Sequence, residues 1–241
     1  MIQCALNGNR RRADHADVPV TLDHLVADAV ACRRAGAESV HLHPRRPSDA
    51  VESLAADVHD AVVAAIRAAA PGLEISCSTQ EDIDLGGAPD RAAAVRAWTS
   101  PPDLVSLNLA ESGAIELGSA LRERRVGIEA GVFTLEDADA LLAAPWASAI
   151  HRVLVEVIFE HDDAAAVDLA RAIDGRVAVL GKPRLWHGDG RASWAVVDAG
   201  LSAGIDVRVG LEDTLIARDG GPAPANAVQV AQTVAGAPPT A

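Results

Sequence analysis

Apolar residues along the chain gather into eight short runs: Ile2–Leu6, Ser39–His43, Leu73–Thr79, Leu104–Asn108, Val126–Ala130, Arg152–Val157, Arg176–Leu180 and Asp206–Val209. Each is rich in Val, Ile or Leu and is short, which predicts strands buried on both faces, as parallel strands are. The segments between them carry helix signals. Thr21 is placed to cap a helix running through Ala35, and Gly36 sits where that helix would stop. Leu54 to Ala70 shows an apolar stripe ended by Pro71-Gly72. Thr134 opens another helix, with acidic residues in its first turn. Strict βα alternation repeated eight times predicts a closed (β/α)8 TIM barrel rather than an open doubly wound sheet. No Gly-x-Gly-x-x-Gly follows the first run and no phosphate-loop motif occurs, so a nucleotide-binding fold has no local signature. No linker interrupts the pattern. The expectation is one barrel domain over residues 1–241, with a loose tail from about residue 236.

Composition narrows the function. A length of 241 residues suits an α/β barrel, and 49% hydrophobic residues can bury a large core. The formal net charge of -13 argues against nucleic acid or an anionic membrane as partner, since both need a basic face to displace counterions. No window approaches the roughly 18 apolar residues of a membrane span. The start, Met1-Ile2-Gln3-Cys4, lacks a basic-then-apolar export signal, which predicts a cytoplasmic location. Cys4, Cys32 and Cys77 show no C-x-x-C spacing and read as reduced core thiols. Lys182 is the single lysine, so amine-based chemistry has one candidate.

In such a barrel the chemistry gathers at the C-terminal ends of the strands. The predicted strand ends hold Asn7 and Arg10, then His41, His43 and Arg45, then Ser78 and Thr79, then Asn108 and Glu111. Glu129, Glu156 and the stretch Lys182 to His187 follow, and the last strand leads to Arg208, Glu212 and Asp213. The sharpest local signal is Val40-His41-Leu42-His43, because residues i and i+2 of a strand point to the same side. Two imidazoles and a carboxylate make a common shell for catalytic zinc. Glu212 is the candidate third ligand, with Asp213 paired to Arg208. The bland alternatives are a satisfied core histidine and a Glu-Asp pair that caps a helix from Thr214 onward. Glu129 and Glu156 either line the site or pair with a barrel arginine. Arg184 to Gly190 reads as a loop over the site in which His187 contacts substrate, or as a plain surface loop.

These residues resemble the β-keto acid cleavage enzymes, the 3-keto-5-aminohexanoate cleavage family. The matching features are His-x-His at the second strand (His41, His43) and Arg-x-Gly-Leu-Glu-Asp at the eighth (Arg208 to Asp213). Ser78-Thr79 after the third strand and Leu107-Asn108 after the fourth also fit, and the likeness runs from Ile2 to about Val234. The resemblance implies a zinc-dependent barrel that condenses a β-keto acid with acetyl-CoA, giving acetoacetate and a new acyl-CoA. It implies zinc on His41, His43 and Glu212, acid–base work by Asp213 with Arg208, and Ser78 beside the substrate. Thr79 and Asn108 would complete the substrate side, and Glu111, Arg10 and His187 are further substrate-side candidates read from this chain itself. Barrels of this family commonly assemble, so a homo-oligomer is expected. The chain departs from the family pattern where Gly8-Asn9-Arg10 replaces Gly-Ala-Glu, where Glu111 replaces a threonine, and in a shortened stretch after the histidines.

Three other readings compete. A zinc hydrolase or lyase would use the same ligands on a small carboxylate substrate without CoA. A Schiff-base aldolase would use Lys182 at the end of the seventh strand. A metal-independent binding barrel would need none of the ligands.

Overall fold

The computed structural model describes residues 1–158 and 162–237. Its strands are β1 (Ile2–Ala5), β2 (Ser39–Leu42), β3 (Glu74–Ser78), β4 (Leu104–Asn108), β5 (Gly127–Val132), β6 (Arg152–Val157), β7 (Arg184–Gly188) and β8 (Asp206–Val209). They are all parallel and pair in sequence order, and β1 closes on β8 to make a barrel. The helices alternate with them: α1 (Leu22–Ala35), α2 (Ala56–Ala69), α3 (Arg91–Ala97), α4 (Ala114–Glu123), α5 (Leu135–Ala143), α6 (Asp163–Val177), α7 (Ser193–Ser202) and α8 (Asn226–Gly236). This is the (β/α)8 barrel that the hydrophobic pattern predicts.

The local reasons are legible. The Thr21 side chain accepts from the backbone N–H of His24 and caps α1, and Gly36 ends the helix in the left-handed conformation at φ 111°. Thr134 and Asp137 cap α5 reciprocally. β8 ends at Gly210, whose φ is +154°, and a Cβ there would lie 2.0 Å from the carbonyl oxygen of Ala5. Only glycine lets the chain turn against β1 at that point.

Several expectations are corrected. Arg176–Leu180 is not a strand. It closes α6 and continues into a helical turn at Ala178–Leu180, where Val179 is 78% exposed. The seventh strand is instead Arg184–Gly188, so the supposed loop over the site is a barrel strand with a buried His187. Its apolar content is low because a histidine and a tryptophan take positions where Val or Ile were sought. Lys182 consequently precedes β7, at the floor end of the barrel, which removes the geometry that the Schiff-base reading needs. No helix begins at Thr214, and the next one starts at Asn226. α8 ends at Gly236, and the tail expected from about residue 236 lies, from residue 238, outside the described residues.

Two apolar clusters lie between the sheet and the helices. One is built on β4 to β6 with Trp98 and Trp146, the other on β1 to β3 with α1 and α2. The barrel interior is unusual, because such barrels are ordinarily filled by Val, Ile and Leu. Here Glu129, wholly buried, pairs with Arg152, and Gln3 and Ser39 share their hydrogen bonds. Buried charges are costly unless paired and hydrogen-bonded, and these are both.

Outside the barrel, the ring of His59 on α2 stacks on Trp98 with centroids 3.7 Å apart. Neither of its ring nitrogens has a hydrogen-bond partner. Burial pushes this imidazole down to about 3 from its usual 6.5. Between those values the unfolded chain binds a proton at His59 that the folded chain does not, so stability falls as the pH is lowered through that window. The slope approaches about 1.4 kcal/mol per pH unit. Asp28 acts the other way, because burial raises its carboxyl to about 6 and the folded state then gains protons first. The expected result is that His59→Phe gains stability relative to the parent protein in urea unfolding as the pH falls from about 6.5 to 4, because the opposing Asp28 contribution then stands alone. Parallel curves for the two proteins would refute this account of His59.

Candidate metal centre

The strand register sets the centre. Ala5 pairs with His41 and His41 with Ser76, which places His41 in the barrel wall between β1 and β3. His43 is two residues further on and turns to the same interior side. Asn7 fixes its backbone from both sides: the His43 N–H donates to Asn7 Oδ1 at 2.9 Å, and Asn7 Nδ2 donates to the His43 carbonyl at 3.0 Å. The two imidazoles lie 5.5 Å apart between centroids at 81° to each other. Glu212 arrives from the far edge of the closed barrel, after β8. Its Oε1 is 3.7 Å from His41 Nε2 and 3.8 Å from His43 Nε2. Gly8 makes room for it. At φ +47° that residue has no Cβ, and one placed there would stand 2.5 Å from Glu212 Cγ.

One ligand atom from each of His41, His43 and Glu212 lies within 4.8 Å of the others. Ligands of a tetrahedral zinc lie roughly 3.3 Å apart, so little closure is needed. The donor chemistry fits a cation in two further ways. Burial, followed by the charge of Arg208, holds His41 well below its usual value, so its ring is neutral and carries a lone pair. Glu212 Oε2 is buried with no hydrogen-bond partner. An acceptor left so is costly unless a cation or a proton meets it. Glu52, which the motif reading did not single out, lies 2.7 Å from His43 Nδ1 and leaves Nε2 to face the cluster.

Beside the cluster stands Asp213, 3% exposed. Arg208 donates to both Asp213 oxygens, reaching Oδ1 at 2.6 Å, and also to Glu212 Oε1 at 2.6 Å. Burial alone would lower the Arg208 guanidinium, but Asp213 and then Glu212 raise it on balance above its usual value. His187 Nδ1 is 3.5 Å from Asp213, and its Nε2 is 3.1 Å from Glu156 Oε2. A line of four polar groups therefore runs from Arg208 to Glu156 across β8, β7 and β6.

The other sequence candidates take these places. Ser78 follows Ser76 by two residues and shares its interior face, and its Oγ accepts from the Gln80 N–H at 3.3 Å. Thr79 is turned to the wall, where its hydroxyl donates to the Ser106 carbonyl at 2.7 Å. Asn108 donates to Glu111 at 2.7 Å, and Glu111 pairs with Arg91 at the start of α3. Arg10 donates to the Glu212 carbonyl at 3.3 Å and lies 3.6 Å from Asp189. Arg45 clamps the loop after β1 by donating to the carbonyls of Gly8 at 2.6 Å and Arg10 at 2.8 Å. Glu129 is not at the mouth. It lies deeper, and of its two readings the arginine pair is the one observed. Glu156 lines the mouth and pairs with His187 rather than with an arginine.

The profile of a family described as beta-keto acid cleavage enzyme matches residues 1–238. No curated protein sequence matches the chain. Among solved structures, type I 3-dehydroquinate dehydratase from Clostridium difficile is similar with a TM-score of 0.62 at 11% identity, covering 87% of this chain and 83% of that one. The 3-dehydroquinate dehydratase from Enterococcus faecalis gives 0.61 at 11% identity, covering 87% and 88%. A mandelate racemase/muconate lactonizing protein from Herpetosiphon aurantiacus gives 0.56 at 13% identity, covering 86% of this chain and 52% of its own. Likeness at such identities speaks for the barrel alone.

Proposed function

Because the chain belongs to the beta-keto acid cleavage enzyme family, we propose that it is a zinc-dependent enzyme that condenses a β-keto acid with acetyl-CoA, giving acetoacetate and a new acyl-CoA. The observation that carries this reading is the convergence of His41, His43 and Glu212 on one point, with the Asp213–Arg208 pair beside it. Zinc held there would polarise the ketone of a β-keto acid and orient its carboxylate. Two imidazoles and one carboxylate suit zinc better than the all-oxygen cations.

The chain's own residues supply the remainder. Asp213 is the group that takes and returns a proton, and Arg208 holds and aims it. His187 backs Asp213 from the opposite side. Ser78 lies on the interior face to meet the substrate, and Asn108, with Glu111 behind it, borders the β4 side. Arg10, in the loop after β1, offers its guanidinium to a substrate carboxylate, an anion that it can pair with. Thr79 acts by holding the wall between β3 and β4.

A hydrolase or lyase acting without CoA is favoured by the departure from the family pattern on the substrate side, where Glu111 stands in place of a threonine. Glu111 and Arg91 form a buried ion pair at the β4 mouth, and burial raises the Glu111 carboxyl despite that pairing. Elemental analysis of the untagged protein, beside His41→Ala and Glu212→Ala, tests the metal centre first. About one zinc per chain, lost in both variants, is expected. A protein that neither contains nor takes up metal would overturn the reading. A panel of β-keto acids assayed with and without acetyl-CoA then separates the condensing enzyme from the CoA-independent one.

A further inference from the structure

His41 and His43 are supported differently. His43 Nδ1 meets the carboxylate of Glu52 directly, whereas His41 Nδ1 lies 3.1 Å from Ser76 Oγ. Ser76 in turn donates to Oε2 of Glu129, which is wholly buried below the mouth on β5. The other oxygen of Glu129, Oε1, accepts from Arg152 Nε at 2.6 Å and from Gln3 Nε2 at 2.9 Å. Arg152 is itself anchored to Glu74 at 2.7 Å.

A hydroxyl has one proton to give, and a carboxylate paired with a guanidinium only accepts. Ser76 therefore donates to Glu129, and its oxygen accepts from His41. That order puts the hydrogen of His41 on Nδ1 and leaves the Nε2 lone pair facing Glu212, the tautomer a metal ligand needs.

We propose that Ser76 and Glu129 are positioning residues for His41, forming a buried line from Arg152 that fixes the tautomer and the aim of this ligand. The inference rests on the metal-centre reading above and adds what holds one ligand in place. It also explains a charged pair in a barrel layer that apolar side chains ordinarily fill. Arg152 and Glu129 anchor the line, and β3 supplies a serine where Val or Ile would pack. Ser39 offers an internal control. It lies in the same polar layer and contacts Gln3 and Arg152, but it does not touch His41.

The test compares the full-length protein with Ser76→Ala, Glu129→Gln and Ser39→Ala. Zinc affinity is measured by competition with a chromophoric chelator, ligand geometry by the visible spectrum of the cobalt-loaded protein, and fold by thermal unfolding of the metal-free form. Ser76→Ala and Glu129→Gln are expected to weaken zinc binding about 10- to 100-fold and to change the cobalt spectrum. Ser39→Ala is expected to leave both unchanged, whatever it does to thermal stability. Ser76→Thr, which keeps the hydroxyl, is expected to recover most of the affinity.

Wild-type affinity and an unaltered spectrum in Ser76→Ala would overturn the inference. Equal losses in Ser39→Ala and Ser76→Ala would do so too, since they would mark a general effect of the layer. Should Ser76→Ala fail to fold, Ser76→Cys gives the same two readouts with a weaker donor and acceptor. A wild-type protein that takes up no zinc or cobalt would instead remove the metal centre itself. Failure of the support and failure of the centre are thus told apart.

Discussion

Replacing Arg208 with methionine is expected to cost about 3–5 kcal/mol, the usual result of removing one partner of a buried ion pair. Arg208 is 4% exposed and its guanidinium is shared between Glu212 and Asp213. Methionine retains much of the volume, so the loss is electrostatic. Two adjacent carboxylates, Asp213 buried and Glu212 largely so, would be left each without its main donor. They would draw in water or move apart, and either response disorders the centre. At a few degrees per kcal/mol for a chain of this size, the melting temperature should fall by roughly 10 °C. A variant as stable as the parent would mean that neither carboxylate depends on Arg208.

The second large effect concerns turnover. Asp213→Asn is expected to lower kcat by about 10²- to 10⁴-fold, the usual contribution of a positioned acid–base group. The amide oxygen can still accept from Arg208, and Glu212 is untouched, so zinc content should equal that of the parent. That combination separates proton transfer from loss of the metal. Turnover within a few-fold of the parent would assign the proton work elsewhere, with His187 the neighbour to examine next, 3.5 Å away.

Residues identified from the sequence and residues found only in the structure differ in how far their partners lie along the chain. His41 and His43 are legible because i and i+2 share a face of one strand, a relation that needs no fold. Glu212 and Asp213 are legible from a short motif around Arg208. Glu52, Ser76 and Arg152 carry no such signal, and Glu129 is legible only as a strand-end carboxylate that lines the site or pairs with an arginine. Each looks like an ordinary polar residue in or beside a strand, and its meaning depends on a partner from 9 to 78 residues away. Ser76 was within reach, since it sits two residues before Ser78 on the same face. The seventh strand differs from its sequence expectation for a related reason. Arg176–Leu180 is apolar and short, as a buried strand is, but it has the same signature as the end of a helix. Arg184–Gly188, with His187 and Trp186, hides a barrel strand behind residues chosen for hydrogen bonding.

Alternation of apolar runs with capped helices determined the barrel and which end of it carries the chemistry, because period, capping and chain direction are local properties. Closure of β1 on β8 decided the rest. It carried Glu212 to within 3.7 Å of His41, and it turned the barrel interior into the polar layer that supports that histidine. No local rule predicts which side chains meet across a closed sheet, since the register between strands is set by the packing of the whole barrel.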